Sequence, residues 1–174
     1  MALIAKSPTL QADLNILKEN EWRVQYGPAG GGSFPNREDK VIMIDSDLQN
    51  NPAKVVQTIS HETGHVLNPH VADTSSKAAF VQGWLKEEGA ATMKNIQVQR
   101  EIMANGGPNI GLVGNPANHT VYNAAYNQYL LDGNAAAARS AIGGVYATGE
   151  KTSNTGQTYQ DYYGDLYDQN YGNK

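Results

Sequence analysis

The pattern of apolar residues along the chain predicts an α+β fold, with a small β-sheet near the N-terminus and a mainly helical C-terminal part. Leucines recur at every third or fourth position over 10–20, which predicts a first helix. Two strand-like segments, 21–26 and 41–44, follow it, and the later apolar patterns have helical spacing. Strands grouped ahead of helices, rather than alternating with them, are typical of α+β proteins.

The two predicted strands differ in pattern. Residues 21–26 alternate polar and apolar side chains, which predicts a half-buried strand. Residues 41–44 form a continuous apolar run, which predicts a buried strand. The intervening segment 27–39 is rich in glycine and proline, so we expect a loop there.

The first long helix is expected to begin at Asn51-Pro52, because Asn is a preferred N-cap residue and Pro suits the first helical position. We expect this helix to end near Leu67, since Asn68-Pro69 follows. The tyrosine-rich tail is expected to be a helix that packs through one face. The other predicted helices run from Ser75 or Ser76 to about Ala104, from Asn115-Pro116 to Leu131, and over the alanine-rich segment between Gly133-Asn134 and a linker at 148–156.

Composition restricts the possible classes of protein. An apolar content of 40% over 174 residues is typical of a globular chain, and we expect a single domain over 1–174. The net charge of −4 and the lack of any Lys/Arg run argue against nucleic-acid binding. No segment approaches the roughly 18 apolar residues that span a membrane, and the start of the chain lacks a signal-peptide pattern. Because there is no cysteine, a metal site must use His, Asp and Glu.

One segment, His61-Glu62-Thr63-Gly64-His65, has the residue types and the spacing of a catalytic metal site. Residues four apart on a helix lie about 40° apart around its axis and about 6 Å along it, so His61 and His65 can present both imidazoles to one ion. Zinc held in this way lowers the pKa of its bound water towards about 7 and polarises a carbonyl. Glu62 lies about 100° round from His61 and is the candidate general base for that water.

The rest of this helix has one apolar face. The two histidines lie roughly 200° away from its apolar stripe at 100° per residue. We therefore expect the helix to be buried on the apolar face and to present the histidines to a cleft on the other. The alternative is an exposed pair of histidines on an ordinary amphipathic helix. The stripe consists of Val55, Val56, Ile59, Val66 and Leu67.

The segment 44–67 resembles the zincin metallopeptidases. The resemblance implies a zinc peptidase with Zn²⁺ as cofactor, a peptide or cell-wall substrate, and a small sheet over the active-site helix. It also implies an edge strand above that helix which pairs with the extended substrate, and 41–44 is the candidate strand. At the centre of the resemblance is the sequence Ile59-Ser60-His61-Glu62-Thr63-Gly64-His65-Val66-Leu67.

Zinc catalysts of this kind need a third protein ligand, and the sequence leaves three candidates. In metzincins this ligand is a third histidine, at the position where this chain has Val71. His70 is one position off and follows a proline. In gluzincins the third ligand is a glutamate on a second helix downstream, where this chain has Glu87 and Glu88.

Helix geometry favours Glu88 among the three. At 100° per residue, Glu88 lies about 20° from the centre of the apolar face of the second predicted helix, and Glu87 about 80° from it. A carboxylate on an apolar face is costly unless it meets a cation, which a zinc ion would supply. Glu87 is then a solvated residue or one that supports the ligands. Asn95 shares the face of Glu88 and could hold a ligand by hydrogen bonding, whereas Glu101 is expected to be a surface charge.

A further group is needed to stabilise the developing oxyanion. His119, at the start of the third predicted long helix, is the candidate catalytic residue for this role. Tyr122 and Tyr126 are alternatives. A structural role would also account for each of these three side chains.

The run Glu87-Glu88-Gly89-Ala90-Ala91, followed by Asn95, Val98 and Glu101-Ile102, also resembles toxin-type metallopeptidase domains. This second resemblance implies an antibacterial effector, delivered by type VI secretion or as a polymorphic toxin. It implies action in the periplasm of a target bacterium and an immunity protein as partner. Two other functions stay open: a peptidoglycan amidase or endopeptidase, and a non-catalytic effector that only binds a partner.

Overall fold

A computed structural model describes residues 2–172. The chain is a mixed α+β protein, mostly helical, with a small three-stranded sheet, which confirms the predicted α+β class. The helices are α1 Pro8–Glu19, α2 Pro52–Leu67, α3 Lys77–Ala104, α4 His119–Asp132, α5 Ala135–Gly149 and α6 Tyr159–Tyr171. The strands are β1 Arg23–Gly27, β2 Phe34–Asn36 and β3 Val41–Asp45, and short 3₁₀ turns lie at Ile4–Lys6, Ser46–Leu48 and Pro116–Asn118.

The predicted helices are confirmed to within a few residues. The side chain of Asn51 accepts a hydrogen bond from the Lys54 amide (3.1 Å) at the start of α2, as expected for an N-cap. The helix expected from Asn115 begins later, at His119, because Pro116–Asn118 forms a 3₁₀ turn. Within 2–172, no helix is both long and apolar enough to cross a bilayer.

The chain forms two compact units, each made of two separate segments. The first unit contains the described residues up to Leu67 together with Lys94–Val113. The second contains Asn68–Met93 together with the described residues from Gly114 onwards. Helix α3 runs without a break from the second unit into the first. The single domain over 1–174 therefore stays a prediction.

The sheet has the order β1-β3-β2, so β3 is its central strand. β1 pairs with β3 in parallel and β2 pairs with β3 antiparallel. The expectation that 41–44 is an edge strand is therefore wrong. The reason is that the short strand β2 pairs with the free side of β3. β2 lies within 27–39, the segment expected to be a loop from its glycine and proline content.

The edge strand β1 is more exposed than its alternating pattern predicted. Four of its five residues are exposed. Its apolar side chains Val24 and Tyr26 remain 42% and 46% exposed. The alternating pattern predicted the strand correctly, but the half-buried environment expected for it is wrong.

Asp45, the last residue of β3, orders the glycine-rich segment ahead of β2. Its carboxylate accepts hydrogen bonds from the amides of Gly30 (3.1 Å), Gly32 (3.0 Å) and Asp47 (2.9 Å). The Asp47 amide, followed by the Gly32 amide, lowers the pKa of Asp45. Gly30 and Gly32 have φ of 72° and 74°, a conformation that glycine adopts without steric cost.

The core of the first unit lies between α1, α2, β3 and the end of α3. The apolar stripe predicted for α2 is confirmed, because Val56 and Ile59 are core residues and the stripe's other three members pack against the core. The buried aliphatic side chains of this core are Leu10, Leu17, Ile42, Ile44, Val56, Ile59, Val98, Ile102 and Ile110.

Glu101 was expected to be a surface charge, and the structure shows it partly buried and hydrogen-bonded within the first unit. Its carboxylate accepts hydrogen bonds from the Ser7 hydroxyl (2.6 Å) and from the amide and hydroxyl of Thr9 (3.0 and 2.5 Å). Burial opposes the charge of Glu101, but these hydrogen bonds outweigh it and lower its pKa. Glu101 thus fastens the start of α1 to α3.

The second unit depends on close contact between α3 and α5. A side chain at Gly143 of α5 would collide with the carbonyl oxygen of Leu85. A side chain at Gly89 of α3 would collide with the carbonyl oxygen of Arg139. Backbone atoms cannot move aside as side chains can, so glycine at these two positions sets the separation of the two helices.

The tail helix α6 packs through its aromatic face, which confirms the packing role predicted for its tyrosines. The Tyr163 ring stacks on Trp84 with centroids 5.7 Å apart. The other aromatic contacts of α6 join Tyr159 to Tyr146, and Tyr167 and Tyr171 to Phe80.

Two neighbouring glycines of α5 provide a test of the α3–α5 contact. We expect Gly143→Ala to destabilise the protein by about 1–3 kcal/mol, because the added methyl group meets backbone. Gly144→Ala is the matched control, since nothing lies within 4 Å of its Cβ position. It should be neutral or stabilise by up to about 1 kcal/mol, as expected for Gly→Ala in a helix. Urea unfolding measures both, and equal free energies of unfolding would contradict the contact.

Candidate metal centre

The middle of α2, which carries the motif, is buried around its whole circumference. All nine residues from Val56 to Gly64 are buried. His61 and Glu62 retain only 7% and 6% exposure. The expectation of one buried and one open face is therefore wrong, and so is the alternative of an exposed histidine pair. Polar side chains in such a helix need partners in the fold or in a ligand, because burying them unpaired is costly.

The two motif histidines meet at their Nε2 atoms. These atoms lie 3.2 Å apart, and the ring planes are inclined at 82°. Two nitrogens that each lie about 2.05 Å from a tetrahedral zinc ion are about 3.3 Å apart. The pair therefore already has the spacing of two ligands on one ion. The carbonyl oxygen of His65 accepts a hydrogen bond from Arg37 Nη2 (3.0 Å), which holds this end of α2.

Glu88, on α3, is a buried carboxylate with a fixed orientation. Its exposure is 5%, and its Oε1 accepts a hydrogen bond from the Tyr163 hydroxyl at 2.8 Å. Burial, and then the negative charge of Glu88, raises the pKa of Tyr163 well above its usual range. The hydroxyl thus keeps its proton and donates a hydrogen bond to Glu88.

The donor atoms of His61, His65 and Glu88 all lie within 4.8 Å of one another. Two imidazoles and one carboxylate are a ligand set of catalytic zinc sites. Two ligands of a tetrahedral zinc ion lie about 3.3 Å apart. No two of these donor atoms are separated by more than about 1.5 Å beyond that, a difference that side-chain rotation can remove. The residues therefore fit a metal ion of this kind.

The other two candidates for third ligand are placed differently. Glu87 is only 4% exposed, so its interpretation as a solvated residue is wrong. His70 lies in the loop after α2, with its ring in a T-shaped contact with Trp84 (centroids 5.2 Å apart). Among residues 2–172, the group that could hold a metal contains neither Glu87 nor His70.

Asn95 supports α2 rather than a proposed ligand. Its side chain is fully buried, and its Nδ2 donates a hydrogen bond to Ser60 Oγ (2.9 Å). Its Oδ1 accepts one from the Val113 amide (2.9 Å). Ser60 in turn donates to the carbonyl oxygen of Gln57 (2.7 Å). Asn95 thereby fixes the turn of α2 that precedes His61.

Tyr122, one of the alternatives for oxyanion stabilisation, is engaged elsewhere. Its hydroxyl donates to Glu150 Oε1 (2.6 Å), and its side chain is fully buried. Burial, followed by the hydrogen bond to Glu150, raises the pKa of Tyr122 above its usual range. Tyr126 is also buried, with its ring near Tyr129 (5.8 Å). His119 is the partly buried first residue of α4, and its catalytic role stays a prediction.

Glu150 and Tyr163 make hydrogen bonds that the sequence did not predict. Glu150 is 5% exposed and accepts hydrogen bonds from the Asn115 amide (2.8 Å), Asn118 Nδ2 (2.8 Å) and Tyr122. Tyr163 was recognised as a packing residue, but its hydrogen bond to Glu88 depends on the fold. Glu150 follows an alanine-rich helix, and no local sequence pattern distinguishes it from a surface charge.

No protein-family model matches the chain, and searches of curated proteins and of solved structures also give no match.

The Tyr163–Glu88 hydrogen bond leads to a test by metal titration. Tyr163→Phe should weaken zinc binding by about 10- to 100-fold, the usual loss when a partner of a ligand is removed. The matched control is Tyr162→Phe, because the neighbouring Tyr162 packs on the Tyr163 ring but lies farther from the interior. Competition with a zinc chelator of known affinity measures both variants. Equal affinities for Tyr163→Phe and the unmodified chain would contradict a positioning role for this hydroxyl.

Proposed function

We propose that this chain is a zinc metallopeptidase of the zincin type, with the gluzincin ligand set. The proposed ligands are His61, His65 and Glu88. The observation that carries the proposal is the approach of their donor atoms to within 4.8 Å of one another. Chance histidines four apart on a helix would not be accompanied by a buried glutamate from another helix at that distance.

The proposed chemistry is hydrolysis of an amide bond. A zinc ion bound by these residues would supply a Lewis acid that polarises the carbonyl and makes water more acidic. Glu62 is the proposed general base, which takes a proton from water and passes it to the departing amine. Its place next to His61 on α2, at 6% exposure, is consistent with this role. Tyr163 holds one oxygen of Glu88 and so orients the third ligand.

The proposed substrate is an extended peptide, and it would lie along β2. The zincin resemblance implies an edge strand over the active-site helix, and β3 cannot be that strand because it is central. β2 is an edge strand, contacts α2, and leads into Arg37, which binds the carbonyl oxygen of His65. Its first residue, Phe34, is 48% exposed.

Replacing the general base tests the proposed activity. Glu62→Gln should reduce hydrolysis by about 10²- to 10⁴-fold, because the amide cannot accept the proton. Zinc content and thermal stability should stay unchanged, since glutamine has the shape of glutamate. The control Glu38→Gln changes an exposed glutamate and should leave the rate unchanged. A chelator should abolish hydrolysis by the unmodified chain, and added zinc should restore it.

The substrates for that assay are a peptide library and purified cell wall. Cleavage of peptides supports the peptidase, whereas release of stem peptides from cell wall alone would support the alternative amidase or endopeptidase. A chain fully loaded with zinc that cleaves neither would overturn the proposal.

We further propose that the peptidase is an antibacterial effector that acts in the periplasm of a target bacterium and is restrained by an immunity protein. This proposal is supported by the resemblance of 87–102 to toxin-type metallopeptidase domains. Directing the chain to the periplasm of a bacterial host should stop growth, whereas expression in the cytoplasm should not. Glu62→Gln should remove the effect. Growth arrest by the Glu62→Gln chain would instead indicate a non-catalytic effector that binds a partner.

A further inference from the structure

The outer side of strand β1 is open for pairing. β1 lies at one edge of the sheet, and no strand within residues 2–172 pairs with its outer side. The Arg23 amide donates a hydrogen bond to the Lys40 carbonyl oxygen (2.9 Å), so the backbone of Arg23 faces β3. Backbone groups point to alternate sides along a strand, so Val24 and Tyr26 direct their N–H and C=O groups outward. This edge therefore offers two donors and two acceptors to an added strand.

The side chains of these two residues lie on the core face of the sheet. In the parallel register Val24 pairs with Ile42 and Tyr26 pairs with Ile44, and paired residues point to the same face. Ile42 and Ile44 are buried in the core of the first unit, whereas Val24 and Tyr26 remain exposed. The helices of this unit thus cover β3 but leave the core face of β1 open.

β1 lacks the common features that prevent edge strands from pairing with another chain. These features are a lysine or a proline within the strand, or a β-bulge. The strand Arg23–Gly27 contains neither residue, and its pairing with β3 is continuous over all five residues. Its one charge, on Arg23, lies at the start of the strand. Pro28 follows directly and limits the length of any added pairing, but leaves Val24 and Tyr26 available.

A second copy of β1 fits this edge when the two strands run antiparallel about Gln25. The residues that face outward then meet each other, with Val24 of each copy opposite Tyr26 of the other. Both pairs join a β-branched side chain to an aromatic one, which is a favourable cross-strand combination. Each pair also continues an apolar row across the core face, from Ile42 of one copy to Ile44 of the other.

The charges on the opposite face match in the same register. Arg23 lies opposite Gly27 of the second copy, and Gly27 pairs with Asp45 of its own β3. These three residues share one face, and the two strand spacings between Arg23 and the second copy's Asp45 amount to about 10 Å. The hydrogen-bond donors to Asp45 are neutral backbone amides, so its carboxylate keeps its charge. Opposite charges thus attract across the contact.

We propose that two copies of this chain associate through their β1 strands, antiparallel and two-fold symmetric about Gln25. The two three-stranded sheets then form one continuous sheet of six strands. Two-fold dimers are the commonest assemblies of identical chains. β1 and β2 are opposite edges of the sheet, so this contact leaves β2 open. The proposal does not depend on the peptidase, because none of the proposed zinc ligands takes part in the contact.

Sedimentation equilibrium of the full chain tests the association. We expect a monomer–dimer equilibrium between about 1 µM and about 1 mM, because an interface centred on one strand pair is small. Val24→Lys should weaken the dimer at least about tenfold, since it replaces both Val–Tyr pairs and adds a charge to the edge. Val121→Lys, at an almost equally exposed valine on α4, is the matched control and should leave the dissociation constant unchanged.

Three sedimentation results would overturn the proposal. One is a chain that stays monomeric at about 1 mM. The others are a dimer that Val24→Lys does not weaken, and a dimer that Val121→Lys weakens equally.

A single cysteine tests the register and does not depend on the folding of Val24→Lys. The chain has no cysteine of its own. The two copies of Gln25 form a non-hydrogen-bonded pair with Cα atoms about 4.5 Å apart, which a disulfide can span. Gln25→Cys should therefore form covalent dimers in oxidised glutathione. The matched control Gln128→Cys, at an exposed glutamine on α4, should not. A dimer that Gln25→Cys does not crosslink, or equal crosslinking of both cysteines, would reject the proposed contact.

Salt dependence tests the charge match. Added NaCl should weaken the dimer, because it screens the attraction between Arg23 and the second copy's Asp45. Arg23→Gln should weaken the dimer several-fold at low salt and remove most of this dependence. An unmodified dimer that is insensitive to NaCl, or an Arg23→Gln dimer with the same sensitivity, would reject the register about Gln25.

Discussion

The contact between His61 and His65 inside an enclosed helix is the constraint on which the arrangement of the candidate site depends. Their Nε2 atoms lie 3.2 Å apart on a helix whose middle is buried on all sides. The apolar stripe of α2 fills the core of the first unit, and Asn95 fixes the polar turn ahead of His61 through Ser60. This packing places both imidazoles towards one point.

Glu88, Glu150 and the partly buried Glu101 accept hydrogen bonds from neutral donors, whereas the buried Asp13 pairs with Lys94 (2.7 Å). Glu88 accepts from a tyrosine hydroxyl, and Glu150 from a backbone amide, a side-chain amide and a tyrosine. Glu101 accepts from two hydroxyl groups and an amide. This agrees with a charged content of only 17%. A neutral donor orients a carboxylate without cancelling its charge, and a carboxylate that must bind a cation needs both properties.

The proposed peptidase depends on two imidazoles, a carboxylate and the neighbouring Glu62. Its proposed substrate would lie along the edge strand β2.

Local pattern in the sequence was sufficient to predict the helices, strand β3 and the motif, because helical and strand periodicity depend only on residues close together in the chain. It also singled out Glu88, since a charge within an apolar face is visible from residue spacing alone. The tertiary structure alone decided that β3 is central and that Glu87 is buried. It also decided which hydrogen-bond partners Tyr163, Asn95 and Glu150 have. Each of these features depends on residues distant in the sequence, and periodicity along one element carries no information about what packs against it.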